Sequence, residues 1–147
     1  MKVKELTDWL DSVYPSAMAE HWDNVGLLVG DDDAEVTHVF LALDLTETTL
    51  EEAVRAGADM IITHHPMIFE GQKKINNHSF TGRRILKLIR SGIQYYAMHT
   101  NYDVLGMAEL SADYLKLTDR EVLAVTAQTE HGEEGFGRVG NLPHELT

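Results

Sequence analysis

Hydrophobic positions along the chain follow two alternating patterns. In some segments they recur at the spacing of one helix face, and in others they form short continuous runs typical of a buried strand. The helical segments are KELTDWLDSVYP, TTLEEAVRAG, FTGRRILKLIRSG and MAELSADYLKL. The strand segments are VTHVFLAL, ADMIIT and IQYYAM, with a further short apolar strand inside HWDNVGLLVGDDD. Because strands and helices alternate with short connections, the sequence predicts an α/β fold with a mainly parallel sheet covered by helices.

The helix predicted over TTLEEAVRAG carries its own boundary signals. Thr46, Thr48 and Thr49 are candidate N-caps, and Thr48 with Glu51, or Thr49 with Glu52, fits a capping box in which side chain and backbone satisfy each other. Gly57 suits the C-terminal end, because glycine adopts the left-handed conformation found there. The sequence therefore predicts a helix that starts at these threonines and stops at Gly57.

The last nineteen residues, TEHGEEGFGRVGNLPHELT, are rich in glycine and acidic residues and show no periodicity. We therefore expect residues 1–128 to form one α/β domain that carries the His-His-Pro and HTNxD segments. Residues 129–147 are expected to be a glycine-rich linker or the start of a further half. Within the domain, Trp9 and Trp22 are expected to lie in the core.

Composition and charge narrow the function classes. The 147 residues contain no cysteine, so disulfides and thiolate zinc sites are excluded and any metal must use His, Asp or Glu. A net charge of −12 argues against general nucleic-acid binding. No apolar run approaches the ~20 residues that cross a bilayer, and the charged first residues do not resemble a signal peptide. We therefore expect a cytoplasmic protein.

Basic residues are concentrated between Lys73 and Arg90, where the chain reads KKINNHSFTGRRILKLIR without an acidic residue. One interpretation is a solvated helix face with a basic bias. The other is a positive patch that attracts an anionic substrate such as a nucleotide phosphate. The sequence leaves both interpretations open.

Polar residues follow each of the three predicted parallel strands. The strands end in Asp44, in the pair His64 and His65, and in the segment 99–103. Ligands of open α/β sheets bind outside the carboxyl ends of the strands. We therefore expect these three groups to meet at one edge of the sheet.

The adjacent imidazoles of His64 and His65 suit a pair of metal ions. Neighbouring side chains on an extended backbone point to opposite sides, so each imidazole would serve a different ion. Paired ions in hydrolytic sites lie about 3.5–4 Å apart and share a nucleophilic water, and Asp103 would supply a hard anionic ligand. In the alternative interpretation the histidines are ordinary hydrogen-bonded residues and Asp44 caps the helix that follows it.

Four stretches of the chain carry a family resemblance. They are HWDNVGLLVGD, LALDLTETTLEEAVRAGADMIITHHPMIF, MHTNYDVLGMAELSADYL and GFGRVGNLP, in this order. The chain resembles the dinuclear-metal-centre proteins known as GTP cyclohydrolase I type 2 homologues, also called the NIF-three-like family. The His-His-Pro and HTNxD segments are the most specific parts of the resemblance.

The resemblance implies a role for each matching residue. His64 and His65 would bind different ions of a pair, Asp103 would bind one of these ions, and His99 would contact the substrate or orient the metal water. The two ions would be divalent, with zinc, iron or manganese as candidates. The family forms ring-shaped homo-oligomers, typically hexamers, so we expect a homo-oligomer whose metal sites face an internal cavity.

The family pattern also contains a second α/β half that ends in a Gly-His-x-x-Thr-Glu type motif. The histidine and glutamate of that motif complete the two-metal site in the family, and the 147 residues contain no such motif. We therefore expect either a piece of a longer protein or a half-length chain, with the remaining ligands supplied from elsewhere.

Two functions from different classes follow from the resemblance. The first is a metal-dependent hydrolase in which a two-metal site activates water against GTP or another nucleotide. The second is a non-catalytic metal-binding protein that acts as an oligomeric scaffold or regulatory interaction partner. The sequence shows no glycine loop of the kind that cradles phosphates, so the substrate and the catalytic residues stay open.

Overall fold

A computed structural model describes residues 1–130 and 132–144 of the chain. The strands are β1 Gly26–Val29, β2 Val39–Ala42, β3 Met60–Thr63, β4 Gln94–Ala97, β5 Thr118–Thr129 and β6 Gly132–Asn141. The helices are α1 Val3–Val13, α2 Glu47–Arg55, α3 Phe80–Ser91, α4 Thr100–Tyr102 and α5 Ala108–Tyr114. A 3₁₀ turn lies at Ser16–Met18 and a π-helical turn at Asp103–Met107. None of the described helices is long and apolar enough to cross a bilayer.

The central sheet has four strands in the order β1-β4-β3-β2. Strands β2, β3 and β4 are parallel, in a register that aligns Ala42, Thr63 and Ala97. Strand β1 is antiparallel to β4 and pairs Gly26 with Ala97. The predicted α/β class with a mainly parallel sheet is therefore confirmed, and the start of β1 lies at the same edge as the ends of the other three strands.

Apolar side chains cover both faces of this sheet, as the continuous apolar strands require. On one face Ile61 and Tyr95 pack in a cluster with residues of α2 and α3, namely Leu50, Ala53 and Leu88. On the other face Met60 and Tyr96 pack against Val3 and Leu10 of α1. Successive strand residues point to opposite faces, so each buried strand contributes to both clusters.

Helix α2 begins at the first of its three candidate N-caps. Its N-cap is Thr46, whose hydroxyl accepts a hydrogen bond from the Thr49 backbone N–H at 3.0 Å. The Thr49 hydroxyl lies 2.7 Å from the Thr46 backbone N–H and closes the reciprocal box. The candidate N-cap Thr46 is confirmed, whereas the alternatives Thr48 and Thr49 are wrong because both residues already lie inside the helix. Gly57 follows the helix with a φ of +69°, so the predicted end is confirmed.

Helix α1 buries a narrower stripe than its apolar pattern indicated. Val3 and Leu10 are buried, but the Trp9 side chain is 57% exposed. The prediction that Trp9 lies in the core is therefore wrong. The stripe is set by the residues that reach Met60 and Tyr96, and Trp9 lies outside it.

Strands β5 and β6 form a long antiparallel hairpin. Much of the segment that we expected to be a linker or the start of a further half is strand β6. Glycine at position 135 allows the backbones of β5 and β6 to approach closely. A Cβ on Gly135 would lie 2.0 Å from the backbone oxygen of Ala124 on the facing strand. Residues 131 and 145–147 of that segment lie outside the described residues. The boundary between residues 128 and 129 stays a prediction.

Ion pairs attach the hairpin to helix α5. The Glu109 carboxylate accepts hydrogen bonds from Arg138 of β6 and from Arg120 of β5. Arg138 is almost fully buried, and its guanidinium also donates to Glu134 at 2.9 Å and to the backbone oxygens of Gly135 and Gly137. The described hairpin is therefore held to the helix by a closed network of charged hydrogen bonds.

Candidate metal centre

The register of the sheet brings four polar residues to one edge. Asp44, His65 and His99 each lie two residues beyond the aligned row that ends β2, β3 and β4. Asp23 precedes β1, whose antiparallel direction carries it to the same edge. The expected convergence of the strand ends is thus observed, and β1 adds a residue from before its start.

Three imidazoles meet at this edge. The metal-binding atoms of His64, His65 and His99 all lie within 4.8 Å of one another. The ring centroids are 5.0 Å apart for His64 and His65, 5.1 Å for His64 and His99, and 5.6 Å for His65 and His99. The described residues therefore contain a histidine cluster that could hold a metal ion.

Carboxylates fix two of the three rings. Asp44 Oδ1 lies 2.9 Å from Nδ1 of His65, and Asp23 Oδ1 lies 3.0 Å from Nδ1 of His99. Because an ionised carboxylate only accepts hydrogen bonds, each Nδ1 carries the proton and Nε2 of the neutral ring keeps its lone pair. Metal-binding histidines in proteins are oriented in this way by an outer carboxylate.

The side chain of Asp23 is completely buried, which by itself raises the pKa of its carboxyl group. Hydrogen bonds from Thr100, from His99 and from the Asn24 backbone outweigh this burial, and the pKa lies below its ordinary value. Asp23 is therefore an anion that holds His99 in place. The sequence interpretation gave Asp23 no role, because only the antiparallel pairing of β1 shows that it reaches this edge.

His64 differs from the other two rings. Burial lowers the pKa of His64, with Asp103 raising it and the neighbouring His99 and His65 lowering it further, so the ring is neutral at neutral pH. A neutral imidazole is the form that binds metal ions. Its Nδ1 is buried and makes no hydrogen bond of good geometry with the described residues.

Asp103 lies beside His64, with its Oδ1 3.3 Å from Nε2. Two ligands bonded to one tetrahedral ion at about 2.0–2.1 Å are separated by roughly this distance. Asp103 reaches His64 from the helical turn that follows β4, where its backbone N–H donates to the His99 backbone oxygen at 2.9 Å. Of the residues proposed from sequence, His64, His65 and His99 form the cluster, and Asp103 borders it at His64.

The alternative interpretation of Asp44 is wrong. Its side chain bonds to His65, and Thr46 rather than Asp44 is the N-cap of α2. The backbone oxygen of Asp44 accepts from the Thr49 hydroxyl at 2.9 Å, which leaves the carboxylate free for the imidazole. The donor set thus fits a divalent metal ion: neutral or oriented imidazoles, a hard carboxylate and outer carboxylates that fix the rings.

Aromatic rings form the rim of the site. Trp22 and Phe69 are stacked, with ring centroids 6.5 Å apart and planes 22° from parallel. The plane of each ring is close to perpendicular to that of His99, at centroid distances of 6.1 Å and 6.0 Å. Trp22 is 53% exposed, so the expectation that it lies in the core is wrong.

Part of the basic stretch 73–90 is neutralised by helix α2. Arg83 pairs with Glu47 at 3.2 Å, and Lys87 pairs with Glu51 at 3.2 Å. These pairs lie on the outer surface between α2 and α3, as in an ordinary solvated helix face. For Arg83 and Lys87 the structure favours that interpretation over a patch reserved for substrate.

Curated relatives match nearly the whole of this chain and about half of their own length. The chain is 36% identical to the GTP cyclohydrolase 1 type 2 homolog of Streptomyces coelicolor over 148 residues, which cover 99% of this chain and 52% of the relative. It is 34% identical to the protein of the same name from Clostridium perfringens, covering 100% of this chain and 56% of the relative. The chain thus spans about half the length of the curated relatives it matches.

Solved structures share the fold. A Bacillus cereus protein related to NIF3 superposes with a TM-score of 0.80 at 40% identity, over 86% of this chain and 35% of that one. Reduced HcgD from Methanocaldococcus jannaschii superposes with a TM-score of 0.80 at 29% identity, over 95% of this chain and 54% of that one. A family model described as Duf34/NIF3 (NGG1p interacting factor 3) matches residues 1–147. The chain therefore belongs to the Duf34/NIF3 family.

Proposed function

We propose that this chain carries the metal-binding part of a metal-dependent hydrolase that acts on a nucleotide-like substrate. The observation behind the proposal is the convergence of three imidazoles, whose ligand atoms lie within 4.8 Å of one another. The names of the relatives, GTP cyclohydrolase 1 type 2 homolog, support a nucleotide as the substrate class.

The proposed ligands of two divalent ions are His64, His65 and Asp103, with zinc, iron or manganese as candidates. His99 is proposed to face the substrate, because its ring contacts the exposed aromatic rim as well as the other imidazoles. Divalent ions bound there would supply Lewis acidity and activate water as a nucleophile at neutral pH.

The residues of this chain prepare the site before any ion arrives. Asp44 holds the His65 ring and Asp23 holds the His99 ring, so little side-chain freedom is lost on binding. Burial keeps His64 neutral, so this ring need not lose a proton first. We therefore expect this site to bind a metal ion more tightly than exposed histidines on an ordinary protein surface would.

Turnover tests the hydrolase proposal. The chain loaded with Zn²⁺ is expected to hydrolyse GTP, and both a chelator and His65→Ala are expected to abolish the activity. His78→Ala is the matched control, since His78 is an exposed histidine that does not belong to the cluster. Turnover that persists in the chelated chain or in His65→Ala would contradict a metal-dependent hydrolase.

The second candidate is a non-catalytic scaffold or interaction protein. It is favoured by strand β2, which ends the four-stranded sheet and exposes an apolar row, with Leu41 72% exposed and Val39 and Leu43 also open. An open sheet edge with apolar side chains is a surface on which another chain can pair. Metal uptake without turnover of any phosphate or purine substrate would favour this candidate.

We also propose that the protein is a homo-oligomer, with the hexamer of the family resemblance as the expected form. The exposed apolar row of β2 supports self-association, because monomers seldom leave such rows open. Light scattering on the purified protein measures the mass directly, and a monomer at all concentrations would contradict the proposal. The cytoplasmic location stays a prediction.

A further inference from the structure

The rim of the histidine cluster contains an aromatic surface that the metal chemistry does not use. Trp22 and Phe69 are each about half exposed, although both are large apolar rings. They come from different loops, one before β1 and the other after β3. Their stacking therefore depends on the fold and not on sequence proximity.

Hydrogen bonds fix the positions of both loops. Asn24 donates from its side-chain amide to the Ile68 backbone oxygen at 2.6 Å, which joins the loop of Trp22 to the loop of Phe69. The Met67 backbone N–H donates to the Tyr95 hydroxyl at 2.9 Å, which ties the second loop to the sheet. The aromatic pair is therefore preorganised rather than a chance contact of mobile side chains.

The orientation of the rings defines what fits against them. The planes of Trp22 and Phe69 are 22° from parallel, and His99 is turned 74° from the first and 84° from the second. A planar ring stacked parallel to the pair would therefore lie close to perpendicular to the His99 ring, with its face against the aromatic pair.

We propose that Trp22 and Phe69 form a stacking platform for the heteroaromatic ring of the substrate. The inference rests on the proposed function, since it names the part of a nucleotide-like substrate that this rim recognises. An aliphatic or purely anionic ligand has no planar face and would gain little from the pair. The platform thus selects substrates by their ring, whereas the histidine cluster acts on the bond that is broken.

The fluorescence of Trp22 measures binding to the platform directly. The chain contains two tryptophans, so a Trp9→Phe variant leaves Trp22 as the one that remains. The probes are guanosine 5′-monophosphate and ribose 5-phosphate, which share the sugar phosphate and differ in the ring. We expect saturable quenching by the nucleotide and none by ribose 5-phosphate. Absence of quenching by the nucleotide would overturn the platform.

Substitution of Phe69 tests the contact. Phe69→Ala is expected to weaken nucleotide binding about tenfold, within the range that base–aromatic stacking contributes, and Phe69→Tyr is expected to restore it. Tyr114→Ala is the matched control, since Tyr114 is an exposed aromatic residue on α5 outside the rim. Equal affinity in Phe69→Ala and the parent chain would overturn the proposal.

The two proposals fail in different ways. Metal uptake and GTP turnover with an unchanged KM in Phe69→Ala would overturn the platform and leave the hydrolase in place. Quenching by the nucleotide in a chain that binds no metal would keep the platform and contradict the hydrolase. If Phe69→Ala weakened the binding of guanosine 5′-monophosphate and of ribose 5-phosphate equally, the substitution would have distorted the loop in general, and the platform would be overturned.

Discussion

Two polar clusters in this protein contrast in how completely their bonding capacity is used. At the sheet edge, His65 and His99 each spend one ring nitrogen on a carboxylate and keep the other available. At the hairpin, all three nitrogens of Arg138 donate to carboxylates or backbone oxygens. The first cluster is therefore arranged to receive a ligand, and the second holds elements of the fold together.

The energetics of the two clusters differ for the same reason. A buried charge with every hydrogen bond made stabilises a specific arrangement, and removal of one partner leaves the other uncompensated. Arg138, with a side chain only 4% exposed, depends on Glu109 and Glu134 in this way. Nδ1 of His64, which makes no hydrogen bond of good geometry within the described residues, is instead a cost that the fold tolerates.

The largest expected effect is loss of metal from the sheet edge. His65→Ala removes a proposed ligand and should weaken Zn²⁺ binding by more than about 100-fold, a larger loss than removal of an outer partner produces. Titration calorimetry measures the affinity, with His78→Ala as the control that should bind like the parent. Unchanged affinity in His65→Ala would mean that the cluster does not hold the metal.

The hairpin should respond to a different substitution. Glu109→Ala removes the shared acceptor of Arg120 and Arg138 and should lower the free energy of unfolding by about 2 kcal/mol, the scale of hydrogen bonds to charged groups. Urea unfolding measures this loss, and Zn²⁺ affinity should stay the same. If Glu109→Ala lost metal as His65→Ala does, the two clusters would not be separate.

An outer carboxylate should matter less than a ligand. Asp44→Asn keeps the shape of the side chain but weakens its hold on His65, and it should reduce Zn²⁺ affinity about tenfold. Asp44 is more than half exposed, so the stability of the metal-free chain should change little. Asp33→Asn, at an exposed position outside the site, is the control. An Asp44→Asn chain that binds metal normally would show that this carboxylate does not orient the ring.

The smallest effect is expected for the pH dependence of stability that arises from Glu109 at the hairpin. The hydrogen bond from Arg138 holds the pKa of Glu109 below the ordinary glutamate value of 4.5, against the opposing effect of burial. The stabilisation is therefore fully present above pH 4.5 and is lost as the pH falls through the lowered pKa. The unfolding midpoints of the parent and of Glu109→Gln should converge at pH values below the lowered pKa of Glu109. A difference between the midpoints that widens in acid would contradict the stabilising role of the Glu109 carboxylate. Glu109 is partly exposed, so the difference should be small.

The sheet and its histidines could be predicted from sequence because both depend on local patterns. Apolar runs fix the strands, and the rule that strand ends meet at one edge places His64, His65 and His99 together. The role of Asp23 could not be predicted, because it requires β1 to pair antiparallel to β4, which no local pattern states. The fold could therefore be predicted from the sequence, whereas the carboxylates that orient the imidazoles could be predicted only in part.

The errors concentrate where tertiary packing overrides composition. Trp9 and Trp22 are apolar and were expected in the core, but one lies outside the buried stripe of α1 and the other forms the rim of the site. For both tryptophans the residue type was identified correctly and its three-dimensional context was not. The segment 129–147 was expected to be a linker or the start of a further half, and the structure shows that glycines within it permit the close approach of two strands.

The most direct test of the central claim is the metal content of the protein, measured by elemental analysis on material purified without chelators and checked by intact mass. We expect at least about one divalent ion per chain, the minimum for a site that activates water. His78→Ala should retain the metal and His65→Ala should lose it. A parent chain that carries no more metal than His65→Ala would contradict the claim that this sheet edge is a metal centre.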